Sequence, residues 1–89
     1  MKPFAEVAQS QVTRYSANRE FTQAILVFSD ESRLLFEHSS RANRWAKASR
    51  ADSLADHCCQ QLRQFRLNAK HLQLYFVDGS DVEFTKEPR

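Results

Sequence analysis

The chain has 89 residues, a formal net charge of +2, 42% hydrophobic residues and 27% charged residues. This composition is typical of one globular domain and lies far from the low hydrophobicity of disordered chains. The small net charge does not by itself indicate a polyanionic partner, so a nucleic-acid-binding role would have to rest on local clustering of charge.

The cysteines and the N-terminal segment give an expectation for the cellular compartment. Cys58 and Cys59 are adjacent, so the sequence predicts no disulfide framework and favours a reducing cytoplasm. Residues 1–20 lack the apolar run of a signal peptide, and no window approaches the ~18 apolar residues of a membrane span. We therefore expect a cytoplasmic protein with no membrane partner.

The first predicted element is an amphipathic helix over residues 3–17. Its apolar side chains fall on one arc at about 100° per residue, and they are Phe4, Val7, Ala8, Val12 and Tyr15. Pro3 suits a first helical position, and Asn18 can adopt the left-handed conformation that ends a helix.

A doubled pattern predicts two β-hairpins. Residues 26–36 and 74–84 both read L-x-F-x-D-x-S-x-(L/V)-x-F, with apolar residues at alternate positions around a polar break. The predicted arms are 20–28 with 33–38, and 71–77 with 81–85. We favour three-residue loops, with Phe28 opposite Leu34, because they match apolar residues along both arms. The alternative is a two-residue turn, for which Asp78 followed by Gly79 is a strong signal.

Residues 39–66 predict two helices rather than one. One apolar face contains Ala42, Trp45, Ala46 and Ser49, and the other contains Leu54, Cys58, Leu62 and Phe65. On a continuous helix these faces would lie roughly 160° apart. Ser53 followed by Asp56 resembles a capping box at the change of phase. We expect a short basic helix near 41–48 and a longer helix near 53–66, capped by Asn68.

Together these elements predict an α+β fold of α-β-β-α-α-β-β order, with residues 1–89 forming a single domain. Units of about 3–38 and 53–85 repeat a helix–hairpin arrangement, and the basic helix of about 41–48 connects them. The two hairpins would join into a four-stranded antiparallel sheet with a pseudo-two-fold axis, and the helices would pack mainly on one face of it.

The second face of that sheet is the first candidate interaction surface. The apolar side chains expected to point away from the helices are Ile25, Val27, Leu35, Tyr75 and Val77. Five large apolar groups on one sheet face require a cover. Either the Trp45 helix folds over them or a second molecule does, so we expect a protein partner or a homodimer.

The second candidate is a basic segment between Ser39 and Ala51, which has four cations and no acid: Arg41, Arg44, Lys47 and Arg50. A helix with such a face could lie along the phosphates of RNA or DNA, which makes nucleic-acid binding the alternative function. A solvated helix face explains the same residues, and the aromatic-rich pattern of RNA-recognition domains is absent.

The sequence predicts no metal site, no cofactor and no catalytic activity. Neighbouring side chains on a helix diverge by about 100°, so Cys58 and Cys59 do not converge on one ion. No nucleophile–base constellation or pocket can be assembled from the residue pattern. The expectation is therefore a small non-catalytic domain that binds a macromolecule.

Overall fold

Two helices and seven strands follow one another in the order α-β-β-β-β-α-β-β-β. The computed structural model describes residues 2–68 and 70–85. The helices are α1, Phe4–Gln11, and α2, Leu54–Gln61. The strands are β1 (Val12–Ala17), β2 (Gln23–Phe28), β3 (Arg33–Ser39), β4 (Arg44–Ser49), β5 (Leu62–Leu67), β6 (His71–Phe76) and β7 (Asp81–Thr85).

The strands form two antiparallel sheets, one of order β1-β2-β3-β4 and one of order β5-β6-β7. The predicted α+β class is confirmed, and so are the two hairpins, β2–β3 and β6–β7. The prediction that both hairpins share one four-stranded sheet is wrong. Each hairpin instead pairs with the strand that precedes it, which satisfies the outer edge of β2 and of β6.

The prediction of a helix over residues 3–17 is wrong beyond Gln11, because the chain continues as β1. A β-bulge lies between Val12 and Arg14. The extra residue of a bulge shifts the alternation of the strand, so Val12 and Tyr15 both face the core although they are three residues apart. This spacing imitates the period of a helix.

The predicted helix near 53–66 is wrong in the same way beyond Gln61. Strand β5 follows, with a bulge between Leu62 and Gln64, and both Leu62 and Phe65 pack in the core. At the start of α2, the Ser53 side chain accepts a hydrogen bond from the Asp56 N–H, as predicted.

Asn18 and Asn68 organise turns between strands rather than helix ends. The Asn18 Oδ1 accepts hydrogen bonds from the N–H groups of Thr22 and Gln23 at 2.8 and 2.9 Å. In the second half, the Asn68 Oδ1 accepts from the N–H of His71 at 2.8 Å. Asparagine suits both positions because its side chain bonds to the backbone a few residues later.

The predicted basic helix near 41–48 does not form, because Arg44–Ser49 is strand β4. It pairs along the edge of β3, with Trp45 opposite His38. The helix propensity of its alanine, lysine and arginine residues is worth only tenths of a kcal/mol each, so pairing with a free strand edge outweighs it.

Both hairpins have loops of three residues, the length that we favoured, but the first loop is residues 29–31 rather than the expected Asp30 to Ser32, and the second is residues 77–79. The N–H of Phe28 donates to the Ser32 carbonyl and that of Phe76 to the Ser80 carbonyl, each at 2.9 Å. The last loop residue has a positive φ, +70° in Glu31 and +89° in Gly79, as in loops with a G1 bulge. The predicted pairing of Phe28 with Leu34 is shifted by two residues, since Leu34 lies opposite Leu26. An even shift leaves every side chain on its predicted face.

One apolar core lies between the sheets and the helices. Eight apolar residues alternate with the outward positions along the arms of the two hairpins. Seven of them are buried and Phe84 is half-buried; the seven are Leu26, Phe28, Leu34, Phe36, Leu74, Phe76 and Val82. The rings of Phe36 and Phe65 are 4.8 Å apart and join the two sheets. Helix α1 packs on β6 and β7, whereas α2 packs on β2, β3 and β4. Each helix therefore lies on the sheet that the other half of the chain builds.

Candidate interaction surfaces

The hairpin loops hold the helix N-termini, where backbone N–H groups have no partner within the helix. At the start of α1, the Phe4 N–H donates to the Asp78 Oδ2 at 2.7 Å and the Ala5 N–H donates to the Ser80 Oγ at 3.0 Å. These bonds join residues about 75 positions apart, so the β6–β7 loop caps a helix of the other half.

The start of α2 repeats this arrangement on the β2–β3 loop. The Leu54 N–H donates to the Asp30 Oδ2, and the Ala55 N–H donates to the Ser32 Oγ, both at 3.0 Å. The Leu54 N–H lowers the pKa of Asp30 below its usual value, and the Ser80 hydroxyl does the same for the pKa of Asp78. In each copy of the Asp-x-Ser pattern, the aspartate and the serine therefore cap the helix of the other half of the chain; we call these the exchanged caps.

A shallow cavity of about 380 Å³ lies beside the start of α2. Its lining residues are Asp30, Asp52, Ser53, Leu54, Asp56, His57 and Gln60. Two of its carboxylates already accept hydrogen bonds, Asp30 from Leu54 and Asp56 from the Gln60 amide at 2.7 Å. Across residues 2–68 and 70–85, no group of three or more His, Cys, Asp or Glu side chains is arranged to hold a metal ion. The cavity therefore lies where Asp30 and Ser53 cap the start of α2.

The outer face of the four-stranded sheet carries the larger apolar surface. We use this name for the side chains that alternate with the buried ones: Arg14, Ser16, Gln23, Ile25, Val27, Arg33, Leu35, Glu37, Arg44, Ala46 and Ala48. Ile25, Val27 and Leu35 are half-buried and lie outside the core cluster. Neither described helix covers them: α1 packs on the other sheet, and α2 binds the opposite face through the Lys47 Nζ, which donates to the Cys59 carbonyl at 3.1 Å.

The five residues predicted for the second sheet face fall into separate places. Ile25, Val27 and Leu35 share the outer face of the four-stranded sheet. Tyr75 lies on the three-stranded sheet, and Val77, which is 59% exposed, lies in the β6–β7 loop. They do not form one continuous surface.

Trp45 does not cover any of these residues, which corrects the alternative of a helix folding over them. Its ring lies on the inner face, 5.2 Å from that of Phe21 and 5.3 Å from that of His38.

The basic residues predicted to line one helix are divided by the alternation of β4. Arg44 points to the outer face, whereas Lys47 points to α2. Arg41 lies in the β3–β4 turn and Arg50 follows β4. The four cations therefore do not form a single stripe, and only Arg44 joins the arginines of the outer face.

Sequence reasoning missed the contribution of Ala46 and Ala48 to this face, together with that of Arg33 and Glu37. The signal for Ala46 and Ala48 is that they alternate with larger or polar residues over 44–49, as expected of a strand. The predicted helix near 41–48 hides this alternation.

Neither described helix is long and apolar enough to cross a membrane. Comparisons with protein-family models, with curated proteins and with solved structures found no match to this chain. The assignment of a function therefore depends on the surfaces themselves.

Proposed function

We propose that the chain is a non-catalytic protein-interaction domain that self-associates through the outer face of its four-stranded sheet. The observation that carries the proposal is the row of apolar side chains on that face, with Ile25 opposite Leu35 and Leu35 opposite Ala48. Covering the apolar groups of an open sheet face with a second surface is favourable, because it removes them from water.

The strand register makes this face self-complementary. Ser16, Ile25, Leu35 and Ala48 form a middle row; Arg14, Val27 and Arg33 lie on one side of it, and Gln23, Glu37 and Ala46 lie on the other. A two-fold axis along the middle row packs that row against itself. The same rotation brings Arg33 of one copy opposite Glu37 of the other, and it does so twice, as a closed dimer requires.

The size of the face predicts a weak dimer. Four strands spaced about 4.8 Å apart, with six residues each at about 3.3 Å, cover roughly 400 Å² per copy. The roughly 800 Å² buried in a dimer is less than the about 1,000 Å² that a stable interface exceeds, and it is the size of a weak or transient contact. A reversible equilibrium is therefore expected.

A second copy suits this face better than a nucleic acid. Single-stranded nucleic acids bind to sheets through aromatic side chains on which the bases stack. The centre of this face is aliphatic, and its arginines are interrupted by Glu37. Arginine at the border of an apolar patch is also common in protein interfaces.

Sedimentation velocity at chain concentrations up to about 1 mM tests the proposal, because such concentrations detect association free energies as small as about 4 kcal/mol. We expect a monomer–dimer equilibrium that Leu35→Lys abolishes. Tyr75→Lys, on the other sheet, is the matched control and should leave it unchanged. Circular dichroism verifies that both variants are folded.

A charge exchange gives the sharper test. Arg33→Glu and Glu37→Arg should each weaken the dimer about tenfold or more, because like charges then face each other across the axis. The double variant restores opposite charges and should recover the dimer. A monomer at every concentration, or single variants without effect, would refute self-association through this face. Salt-sensitive binding of mixed-sequence RNA that Arg33→Glu removes would instead support the nucleic-acid alternative.

We also infer that the two halves, about 3–38 and 53–85, are copies of one unit. The support is the same order of helix, bulged strand and hairpin in each half, with the same capping residues at matching places. Residues 44–49, which form β4, follow the first unit only.

A further inference from the structure

We propose that the free edge of β7, beside α1, binds an extended cationic segment of another protein as a fourth strand of the second sheet. This site is distinct from the outer face of the four-stranded sheet, and strand addition at a sheet edge is an established form of peptide recognition. Three observations point to this edge: within the described part of the chain no strand pairs with it, its inner face is incompletely covered, and acidic side chains lie around it.

The backbone groups concerned are those on the side of β7 that faces away from β6. Since Phe76 and Ser80 form a hydrogen-bonded pair, the next hydrogen-bonded pairs of the antiparallel ladder include Val82 and Phe84. Asp81, Glu83 and Thr85 therefore direct their N–H and C=O groups away from β6. Among residues 2–68 and 70–85, no strand pairs with this side of β7.

The first half of the chain shows what occupies the corresponding position. There β4 pairs with the outer edge of β3, and it also binds the helix on that sheet. The Lys47 Nζ donates to the Cys59 carbonyl at 3.1 Å, and the Ser49 Oγ donates to the Asp56 Oδ1 at 3.2 Å. At the matching positions of α1, which begins 50 residues earlier than α2, stand the Gln9 carbonyl and the Glu6 carboxylate.

The inner face beside β7 is covered less completely than the inner face beside β3. Phe36 is fully buried, whereas Phe84, which holds the equivalent place in the second hairpin, is half-buried. Ala55 of α2 is likewise fully buried, whereas Ala5 of α1 keeps 9% of its surface exposed. An added strand would cover these groups as β4 covers their counterparts.

The charge of the edge selects a cationic strand. Asp81 and Glu83 lie on β7 and Glu6 lies on the adjacent helix, all exposed. Glu83 is 2.7 Å from the Nδ1 of His71, and Asp81 accepts a hydrogen bond from the Gln73 amide at 3.0 Å. Acidic side chains on an edge strand reject apolar and acidic strands, so lysine and arginine at alternate positions of the ligand best complement this edge.

The chain itself supplies a suitable probe, a synthetic peptide of residues 40–50, which contains β4 and four cations. Titrated into the full ¹⁵N-labelled chain, it should shift the amide resonances of Glu83 and Thr85 and slow the exchange of their N–H groups. The control peptide has glutamine at the four cationic positions and should bind at least tenfold more weakly.

Two variants of the chain locate the site. Asp81→Lys combined with Glu83→Lys should weaken binding of the peptide about tenfold or more, since it reverses the charge of the edge. Thr85→Pro removes an outward N–H without breaking the ladder to β6 and should also weaken binding. Glu37→Arg, on the other sheet, should leave the peptide affinity unchanged while it weakens self-association, so the two proposals can fail separately.

Peptide binding that ignores both β7 variants, or resonance shifts confined to β4 or β5, would overturn the assignment of this edge. An equal affinity for the glutamine peptide would overturn the cationic specificity. If the peptide does not bind and the β7 variants instead reduce association of the chain with itself, the occupant is a second copy, and the proposal of a separate protein partner is wrong.

Discussion

Replacing Ser80 with alanine removes the acceptor for the Ala5 N–H, which lies 75 positions earlier in the chain at 3.0 Å from the hydroxyl. The side chain projects from the β6–β7 loop onto the first turn of α1, and Phe4 still bonds to Asp78. The variant therefore deletes one of the two long-range caps of α1, and it also removes the hydroxyl that donates a hydrogen bond to the Asp78 carboxylate of the other cap.

Loss of a serine cap lowers the free energy of unfolding by about 1 kcal/mol, within a range of about 0.5–2 kcal/mol. In a domain of this size that corresponds to a fall in Tm of about 4–8 °C. Ser32→Ala removes the matching cap of α2 and should cost a similar amount. The two sites lie in different loops, so the double variant should lose about 2 kcal/mol.

Urea denaturation followed by circular dichroism measures the loss, and amide exchange locates it. In Ser80→Ala the Ala5 N–H should exchange faster in the native state, while the Ala55 N–H should not. Ser10→Ala is the matched control, because the Ser10 hydroxyl is exposed and bonds only within α1; its effect should stay within about 0.5 kcal/mol. If Ser80→Ala changes stability no more than this control does, or leaves the exchange of Ala5 unchanged, the exchanged cap does not stabilise the fold.

Three further predictions concern pH, packing and backbone conformation. Because folding lowers the pKa values of Asp30 and Asp78, the stability that they provide is complete above about pH 5 and is lost as the pH falls below their pKa in the unfolded chain, about 3.9. The urea midpoint of the variant with asparagine at both positions should therefore depend less on pH across this range. A pH dependence equal to that of the unmodified chain would contradict the assignment. Phe36→Ala should cost about 3–5 kcal/mol, and Phe84→Ala should cost clearly less because its ring is only half-buried; equal losses in urea would contradict the difference in cover. Glu31→Gly should raise the free energy of unfolding by about 0.5–1 kcal/mol, because φ is +70° at this position and glycine relieves the left-handed strain. A Tm below that of the unmodified chain would count against strain at Glu31.

The hairpins could be predicted from the sequence because their arms alternate without interruption. Period-2 burial distinguishes Leu26 and Phe28 from Ile25 and Val27 whatever the loop does, provided that the register shifts by an even number of residues. The loop length could also be chosen correctly, since apolar matching over two arms outweighs the preference of one Asp-Gly pair for a two-residue turn.

Strands β1 and β5 could not be predicted because a bulge opens each of them. The extra residue places Val12 and Tyr15, and likewise Leu62 and Phe65, on one face at a spacing of three. Apolar residues three apart are the usual sign of a helix, and each of these segments follows a real helix without a break. Only the pairing with β2 and β6 shows that the helices end at Gln11 and Gln61.

The candidate site was partly predictable because its apolar residues also alternate along uninterrupted hairpin arms. The outward alternation of Ile25, Val27 and Leu35 identifies them as a surface from the sequence alone. The sequence places Tyr75 and Val77 with them only if the two hairpins share one sheet, and local alternation does not determine which strands share a sheet. The complementary positions Arg33 and Glu37 become meaningful only when the register places them on either side of Leu35.

Each helix packs on the sheet of the other half of the chain, and this arrangement bears on where the molecule can bind a partner. An isolated helix of eight residues is marginal in water, so α1 and α2 depend on packing and on their caps. The first turn of each is held by the loop of the other half, whereas the last carbonyls, of Gln11 and Gln61, accept hydrogen bonds from Ser29 and Val77 of the same half at 2.8 and 2.9 Å. Each helix therefore bridges the two halves, and separating them would remove the caps, the helix packing and the Phe36–Phe65 contact together. Because most of the inner faces is buried in this shared core, both proposed sites lie elsewhere, on an outer sheet face and on a strand edge.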